Sequence, residues 1–253
     1  MKRALFTLMF VLVLISCTKI SPEPESVDEK YSYPILPGSP EWKAFTTGQQ
    51  MVDACQIPES VLKSLTTRAL LETCVDYPLW LNYIAYDFFN NGILSVINRF
   101  NGLTELSRRI DMPGVIIDFY ATFKVPAATS WTSTSTDYLF HLSYFEMFMS
   151  ADCFITKFTA DELLSLKPKL WQNIFDRIMD SEHNSIMSFV QGLHLYAKII
   201  KLQNGQVYLD NKLLIDSVAS ICTIDQYYFQ MYVDFANLIS GDYPYQTQSE
   251  IGF

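Results

Sequence analysis

Apolar residues recur at spacings of three and four through much of the chain, and this pattern predicts amphipathic helices. The clearest stripe consists of Leu170, Trp171, Ile174, Phe175, Ile178 and Met179. A helix of 3.6 residues per turn places such side chains on one face. Segment 138–150 is apolar nearly all round, which is typical of a central, buried helix. The sequence therefore predicts an all-α fold, either a multi-helix bundle or an irregular helical array.

Capping residues and breaks indicate where the helices begin and end. Ser39 before Pro40, Thr66, and Thr159 with Glu162 three residues later can each accept from the free amides of a first turn. Asn90-Asn91-Gly92 and Asn101-Gly102 are typical of breaks between helices. We expect helices over 40–54, 58–64, 66–77, 79–89, 93–100, 103–109, 115–123, 138–150, 159–167, 185–202 and 210–239. At Pro168 we expect either the start of a new helix or a kink.

Segment 124–137 differs from its surroundings because it lacks a helical stripe and carries Pro126 and a run of Ser and Thr. It divides the chain into two helical halves of similar size. The pattern is consistent with a domain boundary here and equally with a long surface loop inside one domain.

The first residues follow another pattern. Lys2 and Arg3 precede an apolar run from Ala4 to Ile15. Such a run is typical of a secretory signal, because about 20 apolar residues are needed to span a bilayer as a helix. Leu14-Ile15-Ser16-Cys17 resembles the lipobox of bacterial lipoproteins, in which the chain is cut before a diacylated cysteine. The resemblance implies that residues 1–16 are a signal peptide and that Cys17 carries the lipid.

The same resemblance implies a location. The mature chain would lie outside the cytoplasm, held in the membrane by several acyl chains such as palmitate, since one chain alone anchors weakly. Thr18 stands where some inner-membrane lipoproteins have Asp. We therefore expect an outer-membrane anchor, with the protein facing either the periplasm or the cell surface. Residues 17–38, rich in Pro and Glu, would form a tether, 39–240 the helical body and 241–253 a flexible tail.

Composition limits the partners. The chain has 253 residues, of which 49% are hydrophobic, so it can bury a sizeable core. Its net charge is −9, and removal of the leader leaves 16 basic and 27 acidic residues. An acidic protein gains nothing from counterion release on nucleic acid and is repelled by anionic lipid surfaces. We expect no nucleic-acid partner, and membrane contact through the lipid alone.

Four further cysteines follow Cys17, namely Cys55, Cys74, Cys153 and Cys222. They form no Cys-x-x-Cys pair, and with three histidines in the chain we expect neither a zinc site nor another cofactor. An oxidising compartment permits disulfides. We favour buried free thiols; if a disulfide forms, the expected pair is Cys55 and Cys74, which lie near the ends of neighbouring predicted helices.

Two residues of the central helix are candidate site residues. His141 shares a helix face with Asp137, but Cys153 lies twelve residues on, about 18 Å along a helix axis. A Cys–His–Asp relay therefore requires the chain to fold back. Glu146 is a lone carboxylate within an apolar run. It is either a site carboxylate or the partner of an Arg or Tyr from another helix, because an unpaired buried charge is costly.

Residues 39–120 resemble a group of uncharacterised lipoproteins from gut-type Gram-negative bacteria, through Leu36-Pro37-Gly38-Ser39-Pro40-Glu41-Trp42 and Phe100-Asn101-Gly102. The members of this group have no known activity, so the resemblance does not indicate what the chain does. We expect non-catalytic binding or scaffolding, in which the aromatic-rich second half presents a groove to an envelope protein or a glycan. The alternative is an envelope hydrolase in an unfamiliar helical fold.

The lipobox generates a first prediction. In the native host, the mature N-terminus should be a Cys17 that carries a diacylglyceryl group, because its thiol is the acceptor in lipoprotein processing. Mass spectrometry of the purified protein measures this directly, and C17A should leave the leader attached. An intact Met1, or an unmodified Cys17 in the native protein, would contradict the prediction.

Overall fold

A computed structural model describes residues 26–126, 132–180 and 188–241. Within these ranges the chain is helical and contains no strand, which confirms the all-α prediction. The α-helices are α1 Pro40–Lys43, α2 Gly48–Ala54, α3 Glu59–Ser64, α4 Thr67–Val75, α5 Phe89–Arg99, α6 Asn101–Leu106, α7 Met112–Ala121, α8 Ser133–Ser150, α9 Asp152–Ile155, α10 Ala160–Met179, α11 Val190–Gln203, α12 Gln206–Asp210, α13 Lys212–Ser220 and α14 Phe229–Ser240. Two short 3-10 helices cover Trp80–Ala85 and Gln226–Tyr228.

The predicted helix caps are confirmed. The Ser39 hydroxyl accepts from the Trp42 amide at 3.1 Å, and the Thr66 hydroxyl accepts from the Ala69 amide at 3.2 Å. Thr159 and Glu162 form the expected capping box, in which each side chain accepts from the other residue's amide. Local hydrogen bonding therefore fixes the starts of α1, α4 and α10.

The core is organised around α8 and α11. Residues 142–151 of the chain, at the end of α8, are all buried, as expected for a central helix. Helix α8 packs against α4, α5 and α11, and α11 also contacts α10, α13 and α14. One continuous apolar core runs from Tyr33 to Ile239 and includes residues on both sides of segment 124–137. The two predicted halves therefore share their core; residues 127–131 of the segment lie outside the described ranges, and α8 begins at Ser133.

The helix predicted over 79–89 and the break at 90–92 are both wrong. Residues Trp80–Ala85 form a 3-10 helix, and α5 begins at Phe89 and continues through Gly92. A Cβ at position 92 would overlap the Tyr83 carbonyl and lie 2.8 Å from the Tyr83 Cα. Gly92 is therefore needed for close packing between α5 and the 3-10 helix, and does not end a helix.

The helix predicted over 40–54 is divided into α1 and α2. Thr47 forms a capping box with Gln50, accepting from the Gln50 amide at 3.3 Å and donating its own amide to the Gln50 side chain at 3.0 Å. This second cap starts a new helix. Two smaller differences are that Asn101 and Gly102 begin α6 rather than precede it, and that Pro168 lies inside the continuous helix α10.

The helix predicted over 210–239 is interrupted after Ser220. The Cys222 carbonyl accepts from the Phe89 amide at 2.6 Å. The Tyr232 hydroxyl donates to the Ile221 carbonyl at 3.2 Å and accepts from the Thr223 amide at 3.1 Å. These bonds use backbone groups that a continuous helix would need, so the break attaches the last helices to the start of α5.

The body begins before Ser39. The Val27 amide donates to the Ser64 carbonyl at 2.8 Å, and the Tyr33 hydroxyl donates to the Thr73 carbonyl at 3.0 Å. The part of the predicted tether from Val27 to Gly38 therefore lies against the body, because its tyrosines add to the core. Cys17, the predicted signal peptide, the first part of the predicted tether and residues 242–253 lie outside the described residues.

The possible disulfide between Cys55 and Cys74 is not formed. Both thiols are free and completely buried in the apolar core, which is the state that the sequence favours. Burial raises the pKa of Cys55 to about 11 and that of Cys74 well above its usual value. Both side chains therefore remain neutral and pack as small apolar groups.

No helix in the described part of the chain is long and apolar enough to cross a membrane.

Replacing Gly92 tests its packing role. G92A should destabilise the fold by about 2 kcal/mol or more, because the added methyl meets backbone that cannot move independently. The matched control is G114A in α7, where a Cβ meets nothing within 4 Å. This change should be neutral or stabilising by up to about 1 kcal/mol through helix propensity. Urea unfolding measures both values, and equal effects would contradict the packing argument.

Candidate functional site

Glu146 is the centre of a buried ion pair. Its carboxylate, on α8, accepts two hydrogen bonds from the Arg177 guanidinium on α10, at 2.6 Å from Nη2 to Oε1 and 3.0 Å from Nη1 to Oε2. Both side chains are completely buried. The bidentate geometry is the strongest arrangement for this pair and fixes the two helices in register.

The remaining polar atoms of the pair are also bonded. The Tyr120 hydroxyl donates to Glu146 Oε1 at 2.7 Å. Arg177 Nε donates to the Asn173 carbonyl at 2.8 Å, and Nη1 also donates to the Ser188 carbonyl. Burial and the nearby Glu146 charge raise the pKa of Tyr120 well above its usual value, which keeps its hydroxyl proton in place. Of the alternatives open from the sequence, Glu146 is thus a partner of both an Arg and a Tyr from other helices.

Helix α11 covers this pair through Gly192. A Cβ there would lie 2.9 Å from Arg177 Nη2 and 3.1 Å from Glu146 Oε2. Only glycine allows the helix to approach so closely, and the approach excludes water from the pair. Nearby, both side-chain amide atoms of the buried Asn173 lack a hydrogen-bond partner. The network supports the core and presents no group to solvent.

His141 is also held by contacts within the fold. Its Nδ1 lies 3.1 Å from the Val75 carbonyl, which can only accept, so Nδ1 carries the proton. Its ring lies 4.4 Å from that of Trp80, and burial lowers its pKa. Cys153 follows the end of α8 and is exposed, and partial desolvation raises the pKa of its thiol. The chain does not fold back, so Asp137, His141 and Cys153 form no relay.

Two concave surfaces remain as candidate sites. The first, which we call the Tyr86–Asp225 groove, has a volume of about 410 Å³ and lies where the start of α5 meets the break before α14. Its lining consists of Ile84, Ala85, Tyr86, Asp87, Phe89, Thr223, Ile224 and Asp225.

Exposed aromatic rings flank this groove. Tyr227 is 85% exposed, and its amide donates to Asp225 Oδ1 at 2.9 Å. The Phe88 ring packs edge-to-face against Tyr228 at 6.4 Å, and the Tyr86 hydroxyl donates to Ser95 at 2.9 Å. The groove therefore combines Tyr86 with two carboxylates and has the exposed Tyr227 two residues beyond Asp225.

The second surface, which we call the His194–Lys198 cleft, has a volume of about 590 Å³. It lies between α5 and α6 on one side and α9, α11 and α13 on the other. Lys198 Nζ donates to the Ser150 carbonyl and to Asp152 Oδ1, both at 2.8 Å. A smaller cavity of about 380 Å³ shares Asp152, Lys198, Ala219 and Ser220 with it.

His194 is almost completely buried where it lines this cleft. Its Nδ1 lies 2.8 Å from the Val218 carbonyl, which makes Nδ1 the donor. Burial lowers the pKa of His194 to about 4, aided by the charge of Lys198 and opposed by the Val218 and Ile221 carbonyls and Asp152. The ring is therefore neutral near pH 7. Its Nε2 is buried without a hydrogen-bond partner.

Sequence reasoning missed both surfaces. Asn90 and His194 line the same cleft although about a hundred residues separate them, and no motif connects them. The aromatic residues of the second half serve mainly the core, and the buried ones include Tyr144, Phe145, Phe148, Phe154, Trp171, Tyr196, Tyr232 and Phe235. Only the cluster Tyr227-Tyr228-Phe229, beside an unrecognised helix break, could have indicated an exposed aromatic surface.

The described residues contain no group of three or more His, Cys, Asp or Glu side chains arranged to hold a metal ion. Comparisons with protein-family models, curated proteins and solved structures find no significant match to this chain.

Removing one member of the buried pair should be severely destabilising. R177M leaves the Glu146 carboxylate buried without its cation, which we expect to cost about 3–5 kcal/mol. The double variant E146L/R177M should recover part of this loss, because it removes both charges. E59Q breaks the exposed Lys63–Glu59 pair and serves as a control that should change little. Urea unfolding of R177M, E146L and the double variant measures the three losses of stability. A loss in the double variant that equals the sum of the two single losses would contradict the prediction.

Proposed function

We propose that this chain is a lipid-anchored cell-envelope protein that binds a glycan through the Tyr86–Asp225 groove without transforming it. The leader and its Leu14-Ile15-Ser16-Cys17 ending support export and anchoring at the outer membrane. A membrane anchor keeps a binding protein beside the polysaccharides of the envelope, so the anchor and the ligand class fit together.

One observation carries the ligand class: the groove is lined by Tyr86 and two carboxylates, and the exposed Tyr227 is bonded through its amide to one of them, Asp225. The rings of Tyr86 and Tyr227 offer flat apolar faces against which the C–H face of a sugar can pack. Asp87 and Asp225 are hydrogen-bond acceptors, and sugar hydroxyls are donors. A hydroxyl-rich chain matches both features at once.

The carboxylates also favour a glycan over a protein. Cores of protein–protein interfaces are enriched in Tyr and Phe, but Asp is depleted there because a buried carboxylate needs a charged partner. In this groove both aspartates belong to the lining itself. A neutral glycan can satisfy them with hydroxyls and leave them partly hydrated.

The groove is also held in shape before a ligand arrives. The Phe89 amide to Cys222 carbonyl bond joins its two sides, and the Phe88–Tyr228 contact lies next to it. Because these contacts fix the backbone, binding would need little ordering of the chain.

The test is a glycan array with the delipidated protein, followed by calorimetry on the best ligand. Y227A and D87N should each weaken binding about ten-fold, equivalent to about 1.4 kcal/mol. L213A and D118N are matched controls, since Leu213 is also 85% exposed and Asp118 is an exposed aspartate on α7, and both should bind normally.

Other outcomes would contradict the proposal in distinct ways. The groove would be assigned to a protein partner by two results together. No glycan on the array would bind, and the wild-type chain, but not Y227A, would capture one protein from the native envelope. Shortened glycan products that disappear in D87N would instead indicate a hydrolase.

A further inference from the structure

The His194–Lys198 cleft is independent of the aromatic groove and has a different chemistry. We propose that it binds a small hydroxylated carboxylic acid, with the hydroxyl groups directed inward and the carboxylate at the mouth. Its volume of about 590 Å³ lies within the range of about 300–1,000 Å³ that is typical of small-molecule sites.

Two residues that line the cleft each keep a buried hydrogen-bond acceptor without a partner. His194 Nε2 and Asn90 Oδ1 are both buried and unpaired. Nδ1 of the neutral His194 ring already donates to Val218, so Nε2 can only accept. The Asn90 amide nitrogen points to the Ser220 carbonyl at 3.4 Å, which leaves Oδ1 as the free end of that side chain. Native proteins rarely leave two buried acceptors unpaired in one place, so a bound molecule with donors would explain both.

Neutral donors suit these acceptors better than a cation. The inner residues supply no carboxylate to compensate a buried ammonium group, because the one acidic residue of the lining, Asp152, is 85% exposed and is paired with Lys198. Hydroxyl groups can donate to His194 and Asn90 without bringing a charge into the interior.

The lining of the cleft is locally cationic. It contains Arg108 and Lys198 against the single acid Asp152, whereas the whole chain carries a net charge of −9. Lys198 Nζ donates to the Ser150 carbonyl and to Asp152, which leaves one of its three protons for a ligand. Arg108 is exposed at the end of α6. A carboxylate on the ligand would lie between these two cations.

Cys153 provides a direct readout of occupancy. Among the cysteines that the structure describes, it is the one exposed thiol, and it lines the cleft. A ligand in the cleft should slow its alkylation by iodoacetamide. Cys55, Cys74 and Cys222 are buried, so their resistance to the same reagent reports that each variant is folded.

The experiment compares three probes on the full purified chain. D-Gluconate carries both features, D-glucose carries hydroxyls alone and propionate carries a carboxylate alone. At about 10 mM, gluconate should slow Cys153 alkylation at least about five-fold, measured by peptide mass spectrometry, and the other two should have little effect. N90A and R108Q should each weaken gluconate binding about ten-fold in calorimetry.

Matched controls use neighbouring residues outside the cleft. N91A changes the next residue of α5 and R99Q changes an exposed arginine at the end of that helix, and both should bind gluconate normally. The inference is overturned if no probe protects Cys153, if glucose or propionate protects as well as gluconate, or if N90A and R108Q bind like their controls. D87N and Y227A should leave the protection unchanged, so failure of the glycan proposal and failure of this inference are distinguishable.

Discussion

The fold depends on how the Glu146 carboxylate is accommodated in the middle of an apolar helix. Taking a carboxylate out of water is tolerable only with an opposite charge and a full set of hydrogen bonds. Arg177 and Tyr120 provide both, which fixes α7 and α10 relative to α8. Gly192 then lets α11 close over the pair. One charged group thereby determines the mutual positions of four helices, which nonspecific apolar packing would leave less defined.

The second constraint is the close approach of backbone segments around the start of α5, where the two halves of the chain meet. Gly92 lets α5 lie directly against the 3-10 helix at Trp80–Ala85. The start of α5 then reaches the Cys222 carbonyl, where the long C-terminal helical segment is interrupted. The interruption therefore joins the first half to the second. It also leaves backbone and side chains at the surface, which is why the Tyr86–Asp225 groove lies there.

Local signals in the sequence predicted local features well. Ser39, Thr66 and Thr159 cap helices as expected, because a cap needs only residues within four positions. The role of glycine was ambiguous in the sequence. Asn90-Asn91-Gly92 is typical of a helix break, but Gly92 lies inside α5 and allows close packing against the Tyr83 backbone. The partner of Glu146 could be specified only as an Arg or Tyr, because 31 residues separate it from Arg177. The candidate sites depend on such long-range proximity throughout, so no spacing along the chain could indicate them.

Burial alone does not separate the structural ion pair from the candidate binding residues in this protein; an unpaired acceptor atom on a residue that lines a cavity does. Glu146 and Arg177 are as deeply buried as His194, but their charged atoms are all bonded, and nothing remains for a ligand to contribute. His194 and Asn90 each keep one buried atom unpaired beside a cavity. An unpaired buried acceptor is costly, so its replacement by an apolar side chain should increase the stability of the fold. Because both unpaired acceptors belong to residues that line one cleft, we assign them to binding rather than to folding.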